Sequence, residues 1–493
     1  MSPTYALLPP LLVVPFIVFF GDRYKNLREA SILFAGISLF FINVGLYQAF
    51  LNQELLLSDQ LVLFPRLSLY LYAEPLGIMF GLLASFLWVV TTIYSIGYMR
   101  AHGEKNQTRF YVFFALAISA VMAAAYAGNL LTLFIAYELI TIVTLPLVTH
   151  AGTPQARRAG RIYLGVLMGS SILLLLPAII IIWWMTGATD SGTTDFVAGG
   201  ILGSVGITPF WTTILLTLIV LGTAKAALMP FHSWLPNAMV APTPVSALLH
   251  AVAVVKTGVF LIVKVVVYIF GFELIEQTNA ADFLLVLSVI TIVVASLIAL
   301  RKDNLKARLA YSTISQLAYM VMAALLANAV AVKGAALHMV THAFGKITLF
   351  FCAGAIMVAS HKKLISELDG IGKFMPITMS AFFIAALSII GLPPLAGVWS
   401  KLLIIEGSIQ AEQLWLVATL ILGSLLSAAY LLPICFRAFF AGGASSSGPN
   451  QKITPVKEAP LPCLIAILIT TTACLVVFFQ PNMIIDLVNK IDW

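Results

Sequence analysis

Apolar runs of about twenty residues recur along the whole chain, each long enough to carry a helix across the hydrocarbon core of a bilayer. That recurrence leaves one class of fold. Backbone N–H and C=O groups in lipid must be paired within their own segment, so such runs fold as a bundle of transmembrane helices. Hydrophobic residues make up 61% of the chain and charged residues 10%, against about 25% charged in soluble domains. A water-soluble core is excluded. Apolar runs read against turn residues give fourteen spans, at 3–20, 31–50, 72–97, 110–127, 129–149, 161–185, 209–233, 243–270, 281–300, 309–329, 332–358, 377–408, 413–440 and 460–480. The first run lacks a basic flank and a cleavage site, so it reads as a retained span. The expected fold is an all-α polytopic membrane protein, one membrane domain over residues 1–493.

The net charge of +7 does not point to nucleic acid, because the cations are distributed by loop. Eighteen of the 27 Lys and Arg lie in loops after odd-numbered spans, and three (Arg66, Lys333 and Lys490) on the opposite side. The positive-inside rule then puts both termini on the non-cytoplasmic side. The four cysteines have no CxxC spacing and read as small buried hydrophobes.

Six basic residues fall inside spans: Lys225, Lys256, Lys264, Lys346, Lys401 and Arg437, with Glu74, Glu138 and Glu406 as their acidic counterparts. Each such charge costs about 2.5–3.5 kcal/mol to insert, and residues of this kind mark ion pathways. Glu138 and Lys225 are expected to pair, the carboxylate setting how tightly the lysine holds its proton; the bland alternative is a purely structural ion pair. Pro230 removes a backbone hydrogen bond just after Lys225, and a break there implies local water. The twelfth span repeats the pattern, with Pro393 and Pro394 preceding Lys401. Broken helices in corresponding positions are a transporter feature.

In the eleventh span, His338, His342 and Lys346 are spaced four apart and form one polar stripe. A water-linked proton relay is preferred over two hydroxyl-satisfied histidines, with a metal or bis-histidine haem site as the lesser alternative. In the eighth span His250 and Lys256 point in different directions, and Lys256 is placed to bridge the two halves. Lys264 reads as a snorkelling end residue. Lys306 is placed to gate a cytoplasmic entrance, and His150 has the weakest functional reading. No catalytic chemistry, cofactor or metal is expected in this chain.

Five segments carry a family resemblance: "YELIT", "KAALMPFHSWLPNAMVAPTPVSALLHA", "LKARLAYSTISQLAYM", "HMVTHAFGKITLFF" and "GLPPLAGVWSKLL". They resemble the antiporter-like subunits of respiratory complex I, membrane-bound hydrogenases and Mrp-type multisubunit cation/proton antiporters, over roughly residues 70–440. The resemblance implies two inverted five-helix repeats with broken helices 7 and 12. The boundaries are then 1–108 for helices 1–3, 109–270 for the first repeat (helices 4–8), 281–440 for the second (helices 9–13) and 441–493 for a linker and helix 14. It implies a proton pathway through Glu138, Lys225, His250, Lys256, His338, His342, Lys346 and Lys401. It also implies other membrane subunits as partners, protons and Na+ as the ions, and the bacterial cytoplasmic membrane as the location. Lys401, where one complex I subunit has a carboxylate, makes the chain most similar to the D-type subunit of Mrp antiporters. The chain ends thirteen residues after the last span, which disfavours the complex I subunit with a lateral C-terminal helix. A redox-coupled module of complex I or hydrogenase type is the alternative. "RRAGRIYLG" departs from the lysine-bearing pattern of many relatives after the fifth span.

Overall fold

The computed structural model describes residues 1–64, 67–187, 194–248, 253–442 and 457–491. Its helices are α1 (Leu8–Phe20), α2 (Lys25–Leu51), α3 (Pro75–Ala101), α4 (Gln107–Ala125) and α5 (Leu130–Val148). α6 (Pro154–Thr186) includes a π-helical turn. α7 (Pro209–Gly222) and α8 (Val254–Phe270) follow. The second half runs through α9 (Asp282–Arg301), α10 (Leu305–Leu325), α11 (Ala329–Ser360), α12 (Pro376–Ile390), α13 (Gly397–Gln410), α14 (Leu414–Phe440) and α15 (Leu461–Phe479). A short antiparallel hairpin, β1 (Leu61–Phe64) and β2 (Leu67–Leu69), lies between α2 and α3.

Among the described residues ten helices are long and apolar enough to span a membrane, eleven if the bent pair Val254–Phe270 and Phe272–Thr278 counts as one. The expectation of fourteen is not reached by that measure, for a physical reason. The seventh and twelfth spans are interrupted, leaving the short apolar helices α7 and α12. α10 does not meet it because its sequence, LKARLAYSTISQLAYMVMAAL, is heavy in polar groups.

α11 is the central post, packed against α3, α10, α12, α13 and α15, and 78% of its apolar window is buried. α3 is buried to the same extent and stacks Tyr94 on Phe351 of α11 at 4.0 Å. The first span, Pro3–Phe20, is only 28% buried. All four cysteines are free and buried. Arg28, read from sequence as a loop cation, is fully buried in the first turn of α2, where it donates to Gln107 at 2.9 Å.

Candidate ion pathway

The first break begins before Pro230. α7 stops at Gly222, and Lys225 lies within a 3-10 turn (Ala224–Ala226) closed by Ala227 in the left-handed region. The expected local water is not needed at the Ala224 carbonyl, which accepts a hydrogen bond from the Trp234 indole at 2.9 Å. α8 comes close enough to require glycine: a Cβ on Gly258 would stand 2.4 Å from the Ala226 nitrogen and 2.6 Å from the Lys225 carbonyl carbon.

Lys225 is fully buried and turns to α5. Its Nζ donates to the Tyr137 carbonyl at 2.6 Å and the Thr141 hydroxyl at 2.7 Å, and lies 3.1 Å from the centre of the Tyr137 ring. The expected contact with Glu138 is therefore not made. Both carboxylate oxygens of Glu138 are buried without a hydrogen-bond partner. Helical spacing explains this. α5 presents Tyr137, Thr141 and Thr144 inward, whereas Glu138 shares a stripe with the exposed Ile135 and Ile142.

α8 joins the halves, as the sequence suggested for Lys256. Lys256 Nζ lies 2.6 Å from His342 Nδ1 and 3.7 Å from the Met320 sulfur. His250 lies outside the described residues. His338 follows one turn from His342 with ring centres 5.9 Å apart. Its Nδ1 meets the Ser400 hydroxyl at 2.7 Å and its Nε2 the Gln316 amide oxygen at 3.0 Å. Lys346 continues the stripe but binds α10, through the Ser312 hydroxyl at 2.5 Å and the Leu309 carbonyl at 3.4 Å.

The second break is built differently from the first. Gly391, at φ 92°, ends α12, and Lys401 lies beyond the break in α13. Its ammonium donates to the Ile389 and Ile390 carbonyls at 3.1 and 2.7 Å and to the Ser424 hydroxyl at 2.9 Å. A cation on the unpaired carbonyls of a helix C-terminus is favoured by the helix dipole.

Sequence reading missed the side chains that wire the second half together. Ser312 meets the Tyr430 hydroxyl at 2.8 Å, Tyr430 meets Ser427 at 3.0 Å, and Gln316 donates to Ser427 at 3.5 Å. The result is a polar path from Lys346 to His338. Its signal was present in "STISQ", which sets Ser312 and Gln316 four apart on one face of the helix. α10 forms one wall of the route, since Leu309, Ser312, Gln316 and Met320 contact Lys346, His338 and Lys256 in turn.

Lys264 does not snorkel. It is fully buried, 2.9 Å from Glu74 and 2.9 Å from the Ala127 carbonyl, with the Phe196 ring at 4.0 Å. Its position two turns inside α8 leaves the ammonium no path to the surface, so it takes a counter-ion instead. Arg437 forms a two-pronged pair with Asp369 at 2.7 and 3.0 Å. Lys306 donates to the Ala241 carbonyl at 2.7 Å. Among the described residues no group of three or more His, Cys, Asp or Glu could hold a metal ion.

Two interrupted spans joined by a buried file of lysines and histidines define an antiporter-like membrane subunit. The chain belongs to the family described as "NADH:quinone oxidoreductase/Mrp antiporter, TM", whose profile matches residues 127–427. It is 34% identical over 367 residues to NAD(P)H-quinone oxidoreductase chain 5 of Synechocystis sp., covering 72% of this chain and 52% of the relative. The chloroplast NAD(P)H-quinone oxidoreductase subunit 5 of Ipomoea purpurea is 29% identical over 426 residues, covering 81% and 57%. The chain thus spans about half the length of the curated relatives it matches. Two solved structures share the fold. A chain of the membrane-bound sulfane sulfur reductase, an archaeal respiratory membrane complex, superposes with a TM-score of 0.83 at 22% identity, covering 99% of this chain and 96% of that one. A chain of the Mrp complex from Dietzia sp. does so with 0.79 at 19% identity and the same coverage.

Proposed function

We propose that this chain is the proton-translocating subunit of a multisubunit monovalent cation (Na+)/H+ antiporter, most like the D-type subunit of the Mrp assemblies. Protons pass along Lys225, Lys256, His342, His338 and Lys401, with Lys346 and Lys306 branching toward the face that carries the basic loops. That face is the cytoplasmic one under the positive-inside rule, and both termini lie opposite. The two broken spans centre two repeats, residues 109–270 and 281–440, of inverted topology. The observation that carries the reading is the 2.6 Å contact between Lys256 of α8 and His342 of α11, two basic groups close enough to exchange a proton. A structural ion pair needs an acid and a base; two bases that share one proton are suited to passing it on.

Glu138 keeps its place as a long-range charge on Lys225 rather than as its partner. Two carboxylate oxygens buried and unpaired favour a carboxylate that meets a cation of a neighbouring subunit. The second reading, the same module coupled to redox chemistry, is favoured by the quinone oxidoreductase relatives. Copurifying iron–sulfur or nucleotide-binding subunits would select it.

The test is proton flux in vesicles carrying the whole assembly, with Lys225→Ala and Glu138→Ala compared while assembly is monitored. Loss of at least about tenfold, or 1.4 kcal/mol on the transfer barrier, is expected for Lys225→Ala. Normal flux in both variants would sink translocation through this chain.

A further inference from the structure

We propose that Glu104, with His102 and His150 on either side, forms a proton-collecting mouth on the face bearing the basic loops. The proposal rests on the proton-translocation reading above and adds three residues to it.

Three elements converge there. α3 ends at Ala101, His102 caps it, and the chain turns at Gly103 (φ 65°) to present Glu104. The carboxylate stands 3.8 Å from Nε2 of His102 and 3.9 Å from Nε2 of His150, which follows the end of α5. Those separations are longer than a hydrogen bond but within ion-pair reach of either ring when it is protonated. Glu104 also lines an open pocket of about 440 Å³ with Lys25, Arg100 and Gln107, and its side chain is 20% exposed. It therefore faces water on one side and the protein on the other.

His150 supplies an independent observation. Its side chain is 2% exposed, its Nε2 meets the Lys105 carbonyl at 3.0 Å, and its Nδ1 is buried with no hydrogen-bond partner. A buried, unpaired ring nitrogen is costly, and proton exchange is a reason to keep one. Arg109 faces the same residue and donates to its carbonyl at 2.9 Å.

From α10, the Lys306 charge favours the ionised Glu104, while Lys363 faces Lys306 as a like charge. Tyr98 lies within electrostatic reach of the carboxylate. Burial raises the proton affinity of Glu104, against the pull of His102 and Lys306. Burial, with Arg109 beside it, lowers that of His150. An acid raised and a base lowered approach a common affinity, the condition for handing a proton between them at little cost.

The experiment measures proton uptake across a range of pH on that face, in vesicles with the full assembly, for Glu104→Gln, Glu104→Asp, His150→Gln and Lys225→Ala. Glu104→Gln is expected to slow uptake about tenfold under alkaline conditions, where protons are scarce, and little under acidic ones. Glu104→Asp restores most of the rate, and His150→Gln moves the pH at which it falls. A wild-type profile in Glu104→Gln, or a loss of equal size at every pH, overturns the proposal. If Glu104→Gln does not assemble, unchanged pH profiles in both Glu104→Asp and His150→Gln overturn it instead. Lys225→Ala separates the two readings: its normal flux sinks translocation itself, whereas its loss beside an unaltered Glu104→Gln sinks only the mouth.

Discussion

Removing either member of the Glu74–Lys264 pair should damage the chain more than removing both. The charges are 2.9 Å apart, with Lys264 fully buried and the Glu74 side chain 7% exposed. At an effective dielectric of about 20 their attraction is about 6 kcal/mol, most of it offset by the cost of leaving water. Truncating one partner strands the other, at about 3–5 kcal/mol. Lys264→Met should cost the upper part of that range, because the Glu74 carboxylate has no other cationic partner among the described residues. Glu74→Gln should cost the lower part, because Lys264 retains the Ala127 carbonyl and the Phe196 ring. The double variant Glu74→Gln/Lys264→Met should lie within about 1–2 kcal/mol of wild type. Thermal unfolding of the detergent-purified assembly, run as a double-mutant cycle, reads these differences. Additive losses, or single variants as stable as wild type, would refute the reasoning that this pair exists to neutralise a cation two turns inside α8.

Gly258→Ala should lower proton flux while Lys225 itself is intact, since the new Cβ meets backbone at 2.4 and 2.6 Å on the turn that carries the lysine. Neither side yields cheaply, so the turn shifts at a cost of about 1–3 kcal/mol; full flux in a fully assembled variant would show the packing to be looser than these distances require. Gln316→Leu should leave Nε2 of His338 unpaired and cut the route to Ser427. The expected loss is about 1–3 kcal/mol for the stranded ring nitrogen and a flux reduction that Gln316→Glu, which keeps an acceptor, partly restores. Equal flux in the two variants would count against a relay through this side chain.

Much of the route was legible because a lysine in an apolar run is a conspicuous expense. Lys225, Lys256, Lys346 and Lys401 are all buried where the runs put them, and the polar stripe of α11 is present. Hydroxyls and amides were harder to read. Ser312, Gln316, Ser427 and Tyr430 cost little to bury when paired, so beyond the four-residue spacing of Ser312 and Gln316 nothing in their local sequence separates a relay from a helix satisfied by its own carbonyls. The same limit hid Glu104, a loop carboxylate whose neighbours come from α3, α5 and α10.

Period, composition and loop charge determine by themselves that this is a helical membrane bundle, which spans are broken and that Lys225, Lys256, Lys346 and Lys401 are buried, because each is a property of one segment against its solvent; Arg28, a loop cation by sequence, is buried by its neighbours instead. Partnership is not such a property. Whether Lys225 meets Glu138 or Tyr137 and Thr141 depends on the rotation of α5 about its own axis, and a rotation of about 100° separates consecutive residues. Whether Lys264 snorkels or pairs depends on where α3 begins beside it. Those choices belong to helix packing, where side chains distant in sequence compete for the same buried charge, and only the tertiary structure decides them.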